Sequence, residues 1–269
     1  MPPYTWRQPE FPGDGSDHKW LDPTLLVICQ NADMESAIEP LLNSLKQPFA
    51  PRRVACIFVH ETMRDAFCEL MRSSMEIMHH QAASHSHYLR TVAMVKCLQA
   101  ETVCLLTPDD INFRSKMTPG SPMIVCEFNQ NFFGGGKPTS VVTMHTFRNA
   151  SELPSLLINE QVPFVSAAIW GRKMASVYEA ALQLDMTVVY INCHNVPLVP
   201  IREYFEFKQP HVVMAQYHHF EVIFHEGKYR MIVYPAKVFW EPSDGKVATD
   251  AEEEPPSEGK NKKPGHNKK

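Results

Sequence analysis

Short apolar runs of strand length alternate with stretches of helical periodicity from Thr24 to about Pro200, and this alternation restricts the possible folds more than any other feature. Leu25–Cys29 is followed by MESAIEPLLNSLKQ, and Arg53–His60 by a helical stretch that opens at Thr62. SHYLRTVAMVKCLQA is a third helical segment, followed by the strand-like ETVCLL and PMIVCEF. SVVTMHTF, FVSAAIWG and TVVYINC then read as strands, separated by SELPSLLINE and KMASVYEAALQL as helices. Apolar residues three and four apart give a helix one buried stripe, whereas near-continuous Val, Ile and Leu runs suit strands covered on both faces. Such units in series predict an α/β fold, a mostly parallel sheet with helices on both faces.

After Pro200 the pattern changes. HHFEVIFHEGKYRMIVYP places two β-rich runs around HEGK and predicts a C-terminal β-hairpin at an edge of the sheet. The flanks differ again: residues 1–23 are rich in Pro, Gly and charge and are expected to form an arm. Residues 241–269 run from an acidic block to KNKKPGHNKK with almost no apolar side chains, and are expected to be a disordered charged tail, solubilising or a targeting signal. Residues 24–240 are left as one domain, in keeping with a chain of 269 residues. Gly134, Gly135 and Gly136 mark a flexible break inside it, and the GGGK sequence lacks the spacing and the Ser or Thr of a phosphate-binding loop.

Several function classes lose support at this stage. A formal charge of -4 and scattered basic residues offer no broad positive field for nucleic acid. No apolar run reaches the roughly 18 residues that a membrane span needs, and the N-terminus lacks the regions of a secretory signal, so a cytoplasmic protein is expected. The seven cysteines sit mostly in apolar runs and read as reduced core thiols, not as a disulfide framework. His79, His80, His85, His87, His218, His219 and His225 lack nearby Cys or carboxylates at zinc spacing, and no metal is expected there.

LLVICQNADMESAIEPLL, with Ala32, Asp33 and Met34, and PRRVACIFVHETMRDAFCELM, with Arg53, Val54, Val59, Asp65 and Phe67, resemble consecutive segments of the aldehyde dehydrogenase superfamily. The longer run from Thr139 to Asn195 is similar to a further part of that family, with Ser166, Ala167, Ala168, Ile169, Trp170, Thr187, Val188, Ile191 and Asn192 in register. The resemblance spans about residues 24 to 200 and covers the C-terminal, catalytic-domain half only. It points to a divergent, little-characterised insect-type branch. An aldehyde dehydrogenase-like catalytic-domain fold is therefore expected. Trp170, Ala167 and Ala168 read as core packing within it.

The family's chemistry needs a thiolate nucleophile, a base, an oxyanion donor and a bound nicotinamide cofactor. Counting back from Arg53, the resemblance puts Pro48 at the nucleophile position, and no cysteine lies between Gln30 and Ala55. A proline carries no nucleophilic atom and no backbone donor. The base position falls at about Lys19, and the family's ribose-binding Glu position at Asn131, which offers hydrogen bonds without charge. The cofactor-binding half that precedes this region in the family is expected to be missing, so no cofactor is expected.

One local cluster remains, Asn192, Cys193, His194 and Asn195, beyond a predicted strand where α/β sheets place ligands. Adjacent Cys and His on a strand point to opposite faces, which favours a buried thiol and a loop imidazole over a catalytic pair. The sequence thus predicts a non-catalytic, pseudoenzyme-like module that binds or assembles, as a homo-oligomer or with an intact aldehyde dehydrogenase-like chain through the 219–234 region. The alternatives are a residual NAD(P)-linked aldehyde oxidoreductase completed by another chain, a thiol activity at Cys193, or a binding protein for aldehydes or acids.

Overall fold

The computed structural model of the chain describes residues 20–48, 50–111, 120–134 and 139–237. Lys19, Gly135, Gly136, most of the 1–23 arm and the whole 241–269 tail lie outside the described residues. The strand–helix alternation appears as β1 (Thr24–Ile28), α1 (Met34–Lys46), β2 (Val54–His60) and α2 (Arg64–Ser74). The short α3 (His80–Ala83), α4 (Ser86–Leu98), β3 (Thr102–Cys104) and β4 (Met123–Cys126) follow. Next come α5 (Gln130–Gly134), β5 (Val142–Phe147), α6 (Leu153–Glu160), β6 (Ser166–Trp170), α7 (Met174–Gln183) and β7 (Val188–Ile191). The chain closes with α8 (Val199–Glu206), β8 (His211–Ala215), β9 (His218–His225) and β10 (Lys228–Pro235).

All ten strands form one sheet in the order β3-β4-β5-β2-β1-β6-β7-β10-β9-β8. The block from β4 to β10 is parallel throughout, and antiparallel pairs occur only at β3 and in the β10-β9-β8 meander. Alternation along each strand separates two faces. Leu26, Ile28, Val54, Ile57, Ala168 and Tyr190 pack with α1, α2 and α8 on one face. Leu25, Val27, Phe58, Ala167 and Ile169 pack with α7 and Leu153 on the other. A third cluster around Tyr88, Val92 and Met123 continues that second face under α4. Fully buried side chains such as Phe58 and Phe67 each contribute about 1.5–3 kcal/mol by leaving water.

The hairpin forms as expected, with a turn at Glu226 and Gly227, both at positive φ, the geometry that matches strand twist. Its place in the sheet is different from the expectation. β10 lies beside β7 and β9 inside the sheet, so the edge belongs to β8, a strand that HVVMA forms after α8. The GGG break is partly helical: Gly134 ends α5.

β2 carries one irregularity. Thr24 pairs with Val54 but Leu25 with Cys56, so Ala55 is an extra residue that has no partner on β1. Such a bulge resets side-chain alternation. Val54, Ile57 and Val59 face α1, while Cys56 and Phe58 face the opposite layer.

Candidate functional site

The amino ends of β1 and β2 are where the resemblance places a base and a nucleophile. The loop between α1 and β2 is closed by a chain of hydrogen bonds. Gln47 N donates to Ser44 O at 3.2 Å, Ala50 N to Gln47 O at 3.1 Å, and Arg52 N to Leu21 O at 2.8 Å. Ser44 Oγ donates to Pro40 O and accepts from Val54 N at 2.9 Å, which ties the end of α1 to the start of β2. Pro48 is buried in this loop. Beside it, Arg53 is buried with its guanidinium 4.6 Å from the Trp20 ring centroid, and burial pulls its pKa down to about 9. Arg53 Nη2 has no hydrogen-bond partner among the described residues.

A cavity of about 280 Å³ opens at this same end of the sheet, against the first residues of β6 and β7. Ser166, Tyr190 and Val188 line its floor, and Arg52 and Arg202 its rim. Asp22, Arg52 and Asn195 on its wall all hold positive φ, 50°, 56° and 51°. Left-handed backbone costs energy in most residues other than Gly, Asn and Asp, so the wall is over-determined by its surroundings. No cysteine or histidine lines the cavity among the described residues.

The predicted 192–195 cluster is split by the fold. Asn192, at φ 50°, accepts from Gly171 N and donates to Gly171 O, both at 2.9 Å, and so staples the ends of β6 and β7. Cys193 is buried, donates to Val233 O at 3.4 Å, and burial pushes its thiol up to about 12. Burial pulls His194 down to about 4, which leaves a neutral imidazole packed edge-on to Tyr190. Only Asn195 reaches the cavity, because the chain after β7 doubles back over the sheet face, where Tyr190 Oη donates to Val196 O at 3.4 Å. Thiol and imidazole therefore make no catalytic pair here.

A second polar group, absent from the sequence-based expectations, lies sealed under the end of α6. His145 on β5 bonds through Nε2 to Oε1 of Glu160, the last residue of α6. Glu160 Oε2 accepts from Gln130 N at 2.9 Å and from Thr143 Oγ1 at 3.2 Å. On the other side of the imidazole, His145 Nδ1 lies 3.6 Å from Glu127 Oε2. Gln130 Nε2 donates to Ala55 O at 2.6 Å, so the carbonyl of the bulge residue is satisfied by this cluster. Cys56 Sγ belongs to it as well: the donor atoms of Cys56, His145 and Glu160 lie within 4.8 Å of one another, all three residues buried. Burial disfavours the His145 imidazolium, but bonds to Glu127 and Glu160 more than compensate and lift its pKa to about 9. The Cys56 thiol is held well above its ordinary value by burial and by the Glu160 charge.

For the nicotinamide cofactor that the resemblance implies, this chain does not reproduce the expected contact. Asn131 stands exposed on α5 and presents a neutral amide where the family has a carboxylate.

The architecture is that of an aldehyde dehydrogenase catalytic domain. Among solved structures, an oxidoreductase from Marinobacter aquaeolei superposes with a TM-score of 0.50 at 18% identity, covering 66% of this chain and 40% of that one. An indole-3-acetaldehyde dehydrogenase complexed with NAD+ superposes with a TM-score of 0.51 at 16% identity, covering 66% and 39%. This chain thus spans about 40% of the length of these proteins. At such identity the likeness concerns the fold. Residues 19–240 match the profile of the family described as "Protein of unknown function (DUF1487)", and the chain belongs to that family. No curated protein matches the sequence. No helix among the described residues is long and apolar enough to cross a membrane.

Proposed function

We propose that this chain is a non-catalytic module on an aldehyde dehydrogenase-like scaffold, one that acts in the cytoplasm by assembly. The observation that carries the reading is the composition of the amino end of the sheet. The resemblance puts Pro48, which is buried, at the nucleophile position, and the adjoining cavity offers carboxylate, hydroxyl, amide and guanidinium groups but no thiol or imidazole among the described residues. The buried thiols do not substitute. Burial pushes Cys29, Cys126 and Cys193 to about 12 and raises Cys56 and Cys68, whereas a nucleophilic cysteine needs a lowered pKa.

The assembly surface is the β8 edge, and its partner a second copy of the chain. β8 reads HVVMA, with no Lys, Pro or acidic residue to guard the edge, and Val212 and Met214 are 55% and 60% exposed. An unguarded apolar edge strand is a template for pairing. Native mass spectrometry of the full chain is expected to show dimers that V212K/M214K converts to monomers. A monomeric wild-type chain at tens of micromolar would overturn the assembly role. Reduction of NAD+ or NADP+ with any of a panel of aldehydes would overturn the non-catalytic one.

The cavity favours a second reading, a carrier of small carboxylic acids. Arg202 on the rim can pair a carboxylate, beside Arg52, which faces Asp22 at 3.9 Å, and Val165, Val196 and Leu198 can cover a short apolar tail. A thermal-shift screen with aldehydes and acids tests it, because a ligand that binds only the folded state raises stability.

A further inference from the structure

The geometry points to a zinc site inside the sheet, formed by Cys56 Sγ, His145 Nε2 and a Glu160 carboxylate oxygen. Thiolate, imidazole and carboxylate are the ligand types that zinc takes, at about 2.3 Å to sulfur and about 2.0–2.2 Å to nitrogen and oxygen. The three atoms lie within 4.8 Å of one another around a common centre, and an ion there would replace the direct bond between His145 Nε2 and Glu160 Oε1, whose atoms must part to about 3.3 Å, the spacing of two ligands on one tetrahedral zinc. The three come from separate elements, β2, β5 and the end of α6, so the ion would cross-link the second face of the sheet to its covering helix. The Thr143 hydroxyl, 3.2 Å from the Glu160 carboxylate, or a water completes four-coordination.

The surroundings are those of a built site. Metal-bound histidines orient through the other ring nitrogen, commonly against a carboxylate, and His145 Nδ1 faces Glu127 at 3.6 Å. Glu127 is itself fixed, its Oε1 accepting from Thr146 Oγ1 at 2.9 Å and from Thr146 N at 3.2 Å. Ligating carboxylates are likewise braced, and Glu160 Oε2 takes the Gln130 N and Thr143 bonds, which leaves Oε1 turned inward. Gln130 is locked in turn by Ala55 O, Val141 O and Thr139 Oγ1. The Cys56 thiol meets the same groups, interacting with Thr143 and Glu160 as well as with Ile57 O at 3.8 Å. Cys56 thus stands where the apolar core of the second face meets the braced polar groups, with its sulfur beside the imidazole and the carboxylate. Without the ion, the proton shared between His145 and Glu160 holds its place. Glu127, about half exposed beside His145, marks the way in.

The test uses the full-length chain. Elemental analysis after expression with zinc, then removal of metal by a chelator and titration with cobalt(II), reads both stoichiometry and ligands. One equivalent of zinc is expected, and cobalt is expected to give a sulfur-to-metal charge-transfer band together with the intense visible bands of four-coordinate cobalt. C56S removes the charge-transfer band and C97S, at the exposed cysteine, keeps it. E127Q, which leaves every ligand in place, weakens metal affinity by about 10- to 100-fold, and it decides the matter should C56S fail to fold. Absence of bound metal with a featureless cobalt titration would overturn the proposal. So would a charge-transfer band that survives C56S, or an affinity indifferent to E127Q.

Discussion

The two polar regions of the sheet invert the usual relation between chemistry and access. Under α6, a carboxylate, an imidazole and a thiol are packed together with Glu160 fully buried and His145 5% exposed. At the strand amino ends, where the fold leaves an open cavity, the polar side chains are Asp22, Ser166, Tyr190 and Asn195 with two arginines at the rim. The thiol and the imidazole are shut away from solvent, and the open site has neither among the described residues. The polar cluster under α6 is a structural element first, and its charges must be mutually satisfied because nothing else in that layer can do it.

The comparison makes graded predictions. Glu160→Ala leaves the His145 charge and the Gln130 amide without their partner, and is expected to cost about 3–5 kcal/mol in urea unfolding. A loss below about 1 kcal/mol would mean that the cluster is not what holds α6 to β5. The next effect is on pH dependence. The folded-state pKa of His145 is raised to about 9 from 6.5, so the native state binds more protons than the unfolded state between those values. Its stabilisation is fully present below about pH 6.5 and fades as pH rises through about 9, an effect on the order of 3 kcal/mol. Denaturation curves of metal-free protein from pH 6 to 9.5 would show it, and H145Q should flatten that window. Buried thiols add a further loss only at higher pH, where the unfolded chain ionises its cysteines.

Smaller changes are expected towards the open end. Asn192→Ala removes both bonds to Gly171 and is expected to cost about 1–3 kcal/mol, with no effect on any ligand response. At the rim, Arg202→Ala is expected to leave stability within about 0.5 kcal/mol, since Arg202 is exposed. It should nonetheless abolish any thermal shift produced by carboxylic acids. A variant that is destabilised and still responds to acids would assign Arg202 to the scaffold and not to the cavity.

Much of the scaffold could be read from residue order. The runs at Leu25, Arg53, Ser140, Phe164 and Thr187 became β1, β2, β5, β6 and β7 because their apolar continuity suits only strands covered on both faces. HEGK produced its hairpin, since the turn chemistry is local. The position of that hairpin was not legible, because which strand receives β10 depends on packing across the whole sheet. β8 was missed, as HVVMA is short and stands alone after a helix that sequence periodicity did not reveal.

The candidate site was legible in part. Pro48 was placed by counting from Arg53 on the strength of the resemblance; Cys193 is a buried thiol, and His194, expected as a hydrogen-bonded loop imidazole, instead has its Nδ1 buried without a hydrogen-bond partner among the described residues. The Cys56–His145–Glu160 group escaped notice because its members are 89 and 15 positions apart in sequence and each looks ordinary in its own segment. One signal was present: His145 and Thr143 share one face of a strand whose other face carries Val142 and Met144, and Glu160 is the terminal charge of LPSLLINE. A polar pair pointing into a two-sided strand must meet a partner, and that carboxylate was available.

The extra residue at Ala55 has a consequence for how this chain can vary. Because it switches the parity of β2, a one-residue deletion there would exchange the neighbours of Cys56 and Ile57, sending aliphatic groups under α6 and sulfur under α1. The reading frame of the strand is thus written once, in a single alanine. Ala55 is fully buried, so the position keeps a small side chain as well as the count of residues between Ser44 and Phe58.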